Sequence, residues 1–292
     1  MIPKEVLKQV RRIQIRTSHL AEDALAGAYQ SVFRGQGIEF DEVREYQPGD
    51  DVRSIDWNVT ARTGAPHVKK FHEERELTVM LLVDLSGSQR FGSHRALKSE
   101  IAAEFAAAIA YSAITNNDKV GFVGFTDRIE KFVPPKKGSR HVLRVVREIL
   151  SLAPEGRGTD LSLALDYLNK VASRKTVAFL VSDFRDPKLD RALRVSARRH
   201  DLVAVCLRDP REEKLPPAGM VFAEDPETGL RLLVDTGSPR VRSAFEAARR
   251  LERAALAERF RRAGVDSIDV RVDRPYVDPL VRFFRMRERR FR

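Results

Sequence analysis

A single cysteine, Cys206, in 292 residues excludes an intramolecular disulfide framework and a cysteine-rich zinc site. It sits in Leu202-Val203-Ala204-Val205-Cys206-Leu207, the pattern of a buried strand, and reads as a packed core thiol. No apolar run reaches the ~20 residues that a membrane-spanning helix needs. The nearest stretch, Ala102 to Ile114, is interrupted by Glu104 and reads as a core helix. Met1-Ile2-Pro3-Lys4-Glu5 leads into no apolar signal core, so a cytoplasmic protein is expected. Internal repeats and low-complexity linkers are lacking too. Hydrophobic residues make up 42% of the chain, which argues against global disorder and supports a sizeable core.

Charge is plentiful but uneven. The net charge is +11, and from Pro239 onward there are 16 Arg and no Lys against 8 acids. A basic tail suits nucleic acid, anionic lipid or an acidic partner, and is equally a solvated helix face. Phe283, Phe284 and Phe291 among the arginines suit either base stacking or an amphipathic helix docked on the core. The docked helix is the expectation, with no specific nucleic acid; contact with a membrane surface stays open.

Periodicity orders the chain. Residues 3–30 read as a helix with Val6, Val10, Ile13 and Leu20 on one side. Arg34 to Gly64 is non-periodic, with a turn at Gln47-Pro48-Gly49-Asp50-Asp51 and then Ile55-Asp56-Trp57. Val68 to Glu74 alternates as a strand, and Thr78 to Val83 is a continuous apolar strand. Helices are predicted over Ser93–Ile114, with Ser93 as N-cap, and over 139–152, 161–171 and 187–199. Strands are predicted over 120–125, 129–133, 176–181 and 202–207. Met220 to Val234 reads as a hairpin turning at Asp225-Pro226-Glu227-Thr228-Gly229. Ser238-Pro239 opens a long helix to Ala263 that Gly264 closes, before a strand to Val272 and a basic helix or tail from Pro275. Alternating strands and amphipathic helices imply an α/β fold, a mainly parallel sheet with helices on both faces. The expected division is an N-terminal extension over 1–76, the α/β domain over 77–272 with its hairpin near 220–234, and a basic segment over 273–292.

Candidate ligands gather where strands should end. Asp84, Ser86 and Ser88 follow the Thr78–Val83 run at alternate positions, so their oxygens face one point. Thr159 lies in a loop just before the helix at Leu161, and Asp183 follows the strand ending at Val181. In an open α/β sheet, ligands bind outside the carboxyl ends of the strands. Five oxygen donors without His or Cys suit a hard cation, Mg2+ above zinc, with Mn2+ or Ca2+ as other occupants.

Asp84-x-Ser86-x-Ser88, Gly158-Thr159-Asp160-Leu161 and the strand-terminal Asp183 resemble the metal-ion-dependent adhesion site of von Willebrand factor A domains. The resemblance implies a Rossmann-like, mainly parallel sheet. It implies Ser86, Ser88 and Thr159 as direct or near-direct ligands, with Asp84 and Asp183 acting directly or through water. It also implies cation-bridged protein binding, the partner supplying an Asp or Glu.

A narrower resemblance rests on Gly35-x-Gly37-x-Glu39-Phe40, Arg44-x-Tyr46, Pro48-Gly49-Asp50-Asp51-x-Arg53-x-Ile55-Asp56-Trp57, Ala61-Arg62 and Val68-Lys69-x-Phe71-x-x-Glu74. These segments are similar to the bacterial family called domain of unknown function fifty-eight. Its members are often encoded beside MoxR-type AAA+ ATPases, which implies such an ATPase or its client as partner. Many relatives carry transmembrane helices that this chain lacks. Gln89 stands where an apolar residue often follows the second serine, outside the ligand set. Trp57 and Phe71 are expected to pack on the sheet, with Arg44, Arg53 and Asp56 in ion pairs; a second cation loop at Asp50 and Asp51 has too few ligands.

The expected function is therefore a metal-dependent protein-binding adaptor and not an enzyme. The alternatives are a magnesium-dependent phosphoester hydrolase and a nucleic-acid binder. Against hydrolysis, hydroxyl ligands dominate, no nearby Lys or His is an obvious acid or base, His94 and His141 read as surface residues, and Gly35-x-Gly37 is too sparse for a phosphate loop.

Overall fold

The computed structural model describes residues 8, 10–14, 17, 29, 32–33, 39–72, 76–94, 96–186 and 188–291. It divides into two compact units, one of Phe33–Leu77 and one of Met1–Val32 with Thr78–Arg292. The unit of Phe33–Leu77 ends beside the division expected near residue 76, whereas residues 1–32 are grouped with the α/β unit. The described residues within the N-terminal helix expected over 3–30 are helical at 8, 10–14, 17 and 29; Val6 and Leu20 lie outside the described residues.

In the smaller unit, strand β1 (Glu39–Glu45) pairs antiparallel with β2 (His67–His72). Between them lie a 3-10 turn, Val52–Ser54, and helix α1, Trp57–Thr63. The segment lacks periodicity because these elements are too short to show one. Asp56 starts α1 by accepting hydrogen bonds from the N–H of Asn58 (2.9 Å) and Val59 (3.4 Å). Gly64 ends it in the left-handed region at φ 77°, which a Cβ would disfavour. One expectation is corrected here. Trp57 is the first residue of the helix and is 68% exposed, so it is not packed on a sheet. Arg44 pairs with Asp50 (2.7 and 2.8 Å), while Asp51 caps the 3-10 turn, so neither acid is left for a cation loop. The Phe71 side chain and residues 73–75 lie outside the described residues.

The larger unit is built on a six-stranded sheet in the order β10-β7-β6-β3-β4-β5. Its strands are β3 (Thr78–Asp84), β4 (Lys119–Phe125), β5 (Ile129–Lys136), β6 (Val177–Ser182), β7 (Asp201–Arg208) and β10 (Asp266–Arg271). All neighbours are parallel except β5, which returns antiparallel to β4 through the tight turn at Thr126–Arg128. Val79 to Val83 is at most 1% exposed because helices cover both faces. That is why the run is continuous and not alternating.

One face packs Met80, Leu82, Ala178 and Leu180 against α4 (Leu161–Val171), α5 (Asp190–Arg199) and Phe260. On the other lies α2 (Lys98–Thr115), whose Phe105 meets Phe179 edge to face, centroids 6.4 Å apart. Seven alanines of α2 are fully buried, and their small side chains let the helix close on the sheet. Helix α3 (Ser139–Ser151) packs beside it. Cys206 belongs to the core, where burial pushes its thiol up to about 12 and leaves it inert.

Two helix starts differ from expectation. Helix α2 begins at Lys98, where the Glu100 carboxylate accepts from the Leu97 N–H; Ser93 instead bonds to Asp209 through backbone and side chain. Helix α5 begins at Asp190 and not near 187. A short helix, α6 (Pro210–Glu213), follows β7. The hairpin forms as β8 (Met220–Glu224) and β9 (Arg231–Asp235), a separate two-stranded sheet. The long helix is α7 (Pro239–Ala263), closed by Gly264 at φ 69°.

The basic C-terminal segment is helix α8 (Val277–Phe291). Its Leu280, Phe283 and Phe284 are at most 4% exposed, so the latter two rings are core and not a stacking platform. The Phe291 side chain is outside the described residues. Arg287 anchors the helix through Asp201 (2.8 Å twice) and Asp266 (2.7 Å), with only 7% of its side chain exposed. Arg287→Met is expected to cost about 2 kcal/mol in urea unfolding, short of the full buried-pair value because both carboxylates keep some solvent.

Candidate metal centre at the sheet switch point

Strand order reverses between β3 and β6. The chain leaves β3 through α2 toward β4, and leaves β6 through α5 toward β7 on the opposite side. Diverging connections open a crevice at the carboxyl ends of these adjacent parallel strands. Asp84 is the last residue of β3, and Asp183 directly follows β6. Two carboxylates therefore meet where the backbone leaves room for a ligand.

Asp84 is 1% exposed. Its Oδ1 accepts from the Ser86 N–H (2.9 Å), and its Oδ2 accepts from Ser182 Oγ (2.6 Å) and Gln89 Nε2 (3.4 Å). Burial first, and the Asp183 charge second, raise its carboxyl to about 7 despite those hydrogen bonds. Ser86 and Ser88 are 0% and 3% exposed, and their hydroxyls lie 3.0 Å apart. The Asp183 side chain is 4% exposed; its Oδ2 receives Lys98 Nζ at 2.9 Å, while its Oδ1 has no hydrogen-bond partner among the described residues. A buried carboxylate oxygen without a donor is costly in an empty protein interior and natural beside a cation.

The third loop is tied to the first. The Gly87 N–H donates to Arg157 O (2.9 Å), and the Asp160 N–H donates to Thr126 O (3.0 Å). Asp160 also caps α4 by accepting from the Leu163 N–H at 2.8 Å. Between these anchors Thr159 turns its hydroxyl to Glu227 Oε1, at 2.8 Å, in the tip of the β8–β9 hairpin. Asp84, Ser86 and Ser88 thus form one hydrogen-bonded cluster, Asp183 acts on it through its charge, and Thr159 stands on the loop bonded to Gly87. Among the described residues no three His, Cys, Asp or Glu side chains are grouped to share a metal ion. A cation here depends on hydroxyls as much as on acids, a donor set that fits a hard ion and excludes a zinc-type site.

Five participants escape sequence reading. Ser182 and Gln89 both touch Asp84, and Gln89 Nε2 also lies 3.4 Å from Ser88 Oγ, so position 89 is part of the cluster and not outside it. Lys98, fully buried, bridges Asp183 and Glu212 (2.9 Å each), correcting the expectation that no lysine stands nearby. Arg185 closes the same group at 3.0 Å from Glu212. Glu227 is the fifth. His94 is exposed, and His141 donates from Nε2 to Val120 O at the opposite end of β4, so neither serves this site. A cavity of about 780 Å³ opens beside Asp183, between α7 and the ends of β6 and β7, with Phe184, Glu212, Arg253 and Leu256 in its wall.

Gly87 is needed for close approach. A Cβ there would lie 2.3 Å from Pro226 O, in the hairpin tip. Gly87→Ala is expected to lift the tip and speed tryptic cleavage at Arg231 several-fold, with the core's unfolding midpoint nearly unchanged.

Comparison with known proteins places the chain. It is 34% identical over 285 residues to an uncharacterized protein of Mycobacterium tuberculosis strain H37Rv, covering 96% of this chain and 89% of that one. It is 27% identical over 107 residues to the uncharacterized protein YeaD of Bacillus subtilis, covering 37% of this chain and 25% of that one. Among solved structures, an aerotolerance-related membrane protein from Bacteroides fragilis matches at TM-score 0.49 and 14% identity, over 73% of this chain and 99% of that one. The conserved hypothetical protein BatB from Bacteroides thetaiotaomicron matches at 0.47 and 14%, with the same coverage. No helix among the described residues is long and apolar enough to cross a membrane. The model of the family "Protein of unknown function DUF58" matches residues 42–255, and the chain belongs to that family.

Proposed function

We propose that the chain is a cation-dependent protein-binding module of the von Willebrand factor A type. Asp84, Ser86, Ser88, Thr159 and Asp183 hold Mg2+, or Mn2+ or Ca2+ in its place, and a partner's Asp or Glu completes the shell. The observation that carries this reading is the pair of buried carboxylates at the switch point, one with an oxygen that no group among the described residues satisfies. Such a pair repels itself in a dry interior and is stabilised by a divalent charge. When bound, the ion supplies a positive centre for an incoming carboxylate. The chain's own residues supply orientation: Ser182 and the Ser86 N–H fix Asp84, and Lys98 fixes Asp183. The partner class is a MoxR-type AAA+ ATPase or its client, in a chaperone-like assembly in the cytoplasm; this rests on the family resemblance. An enzymatic role has less support. Lys98 is the nearest base, and it is buried between two acids with no free access. Calorimetric titration of Mg2+ into chelator-treated protein, together with pull-downs in Mg2+ and in chelator, tests the proposal. Binding of one ion and partner capture lost in chelator are expected; capture indifferent to chelator overturns it.

A further inference from the structure

The hairpin tip brings a carboxylate of the chain itself to the candidate centre. Glu227 Oε1 accepts from the hydroxyl of Thr159, at 2.8 Å. The adjacent Pro226 carbonyl fits against Gly87, between Ser86 and Ser88, so closely that a Cβ would collide with it. Both approaches come from a five-residue turn that is internally braced. Asp225 Oδ1 accepts from the Glu227 N–H (3.0 Å) and its Oδ2 from the Thr228 hydroxyl (2.8 Å). The turn therefore presents Glu227 as a fixed group. The arms behind it are loosely held: every residue of β8 is exposed, as are four of the five in β9, including Phe222 at 76% and Leu232 at 68%. A hairpin that buries so little can lift without disturbing the core.

We propose that Glu227 is a tethered carboxylate ligand of the cation, taking the position that an outside Asp or Glu would take. The inference rests on the cation reading above. Its geometry is one of contact: Glu227 Oε1 lies 2.8 Å from the hydroxyl of Thr159, itself a candidate ligand. Thr159 and Glu227 would both offer an oxygen to a bound ion in place of their mutual hydrogen bond. The independent sign of a missing ligand is Asp183 Oδ1, buried and unpartnered on the adjacent strand end. A partner's carboxylate then enters only when the hairpin lifts, so the site is closed by its own chain at rest.

The test uses the full chain and Mg2+ alone, with calorimetry for affinity and amide exchange of Glu227, Thr228 and Gly229 for tip position. In wild type, Mg2+ is expected to slow exchange at the tip about ten-fold. Glu227→Gln keeps the side chain's shape, and is expected to bind Mg2+ roughly ten-fold more weakly and to lose the tip protection. The hairpin is exposed, so this variant is expected to keep its fold, and an unchanged unfolding midpoint in chelator checks it. Unchanged affinity in Glu227→Gln, or tip exchange insensitive to Mg2+ in wild type, overturns the tethered ligand and leaves the cation reading standing. Wild type that binds no Mg2+ overturns both.

Discussion

Replacing Lys98 with methionine is expected to destabilise the metal-free protein by about 3 kcal/mol or more, the usual cost of removing one partner from a buried ion pair. Lys98 is fully buried, and its ammonium lies 2.9 Å from both Asp183 and Glu212. Methionine fills the space of the aliphatic stem but leaves Asp183 with both oxygens poorly served, Arg185 being 3.6 Å from Oδ2. The same substitution removes a positive charge from the edge of the candidate centre, so Mg2+ is expected to bind Lys98→Met more tightly than wild type. Added Mg2+ then restores part of the lost stability by mass action. Urea unfolding with and without Mg2+ measures both effects. A loss below about 1 kcal/mol would mean that the ammonium is solvated and weakly coupled, as surface pairs are. Lost stability with no Mg2+ recovery would identify Lys98 itself as the cation the two acids were built around, and would count against a metal.

The second large effect is expected at Asp84, with opposite signs for binding and stability. Asp84→Asn is expected to abolish Mg2+ binding and partner capture, because the charge is gone from the end of β3. In chelator the same variant is expected to be more stable than wild type at pH 8. The Asp84 carboxyl is raised from 3.8 to about 7 by burial and by Asp183. Between those values the native state holds more protons than the unfolded chain, so the stability of the metal-free protein falls as pH rises from about 4 to about 7. Asparagine keeps an oxygen for the Ser86 N–H and carries no charge to desolvate. Its advantage is expected to be about 2 kcal/mol at pH 8 and to vanish near pH 4. The orphan Gln89 oxygen is available to the new amide after a side-chain flip. Unfolding midpoints in chelator at the two pH values check this; a variant less stable than wild type at pH 8 would show that the Asp84 charge is already compensated within the protein. A site that weakens its own apoprotein is the usual mark of a group retained for function and not for folding.

These two residues also mark how far the sequence could be read. Asp84 was legible because everything that positions it is local. The apolar run from Thr78 to Val83 makes β3, and the alternate Ser86 and Ser88 follow within one turn. Lys98 was not legible. It opens α2, a helix whose start was misplaced at Ser93 because a serine before an apolar stretch is a good local cap, whereas Ser93 bonds to Asp209, 116 residues away. A lysine beside such a boundary reads as solvent-facing, and only the packing of α2 against β6 and β7 encloses it with Asp183 and Glu212, 85 and 114 residues distant. Trp57 fails in the other direction: its bulk suggests a core, but as the first residue of a seven-residue helix it remains exposed.

The amino-acid sequence alone determined the class of the fold, a mainly parallel sheet covered on both faces, because continuous β-branched runs and intervening amphipathic helices are local patterns with only that solution. It determined the donor chemistry at the strand ends and excluded disulfide and cysteine-zinc architectures through its lone Cys206. Tertiary structure alone decided strand order, and with it the crevice between β3 and β6. It also decided that the hairpin would lay Glu227 on Thr159 across 68 residues, and that a buried lysine would share Asp183. Periodicity reports which face of one element is covered; which charged groups meet across elements depends on how the connecting loops close, and no local pattern records that.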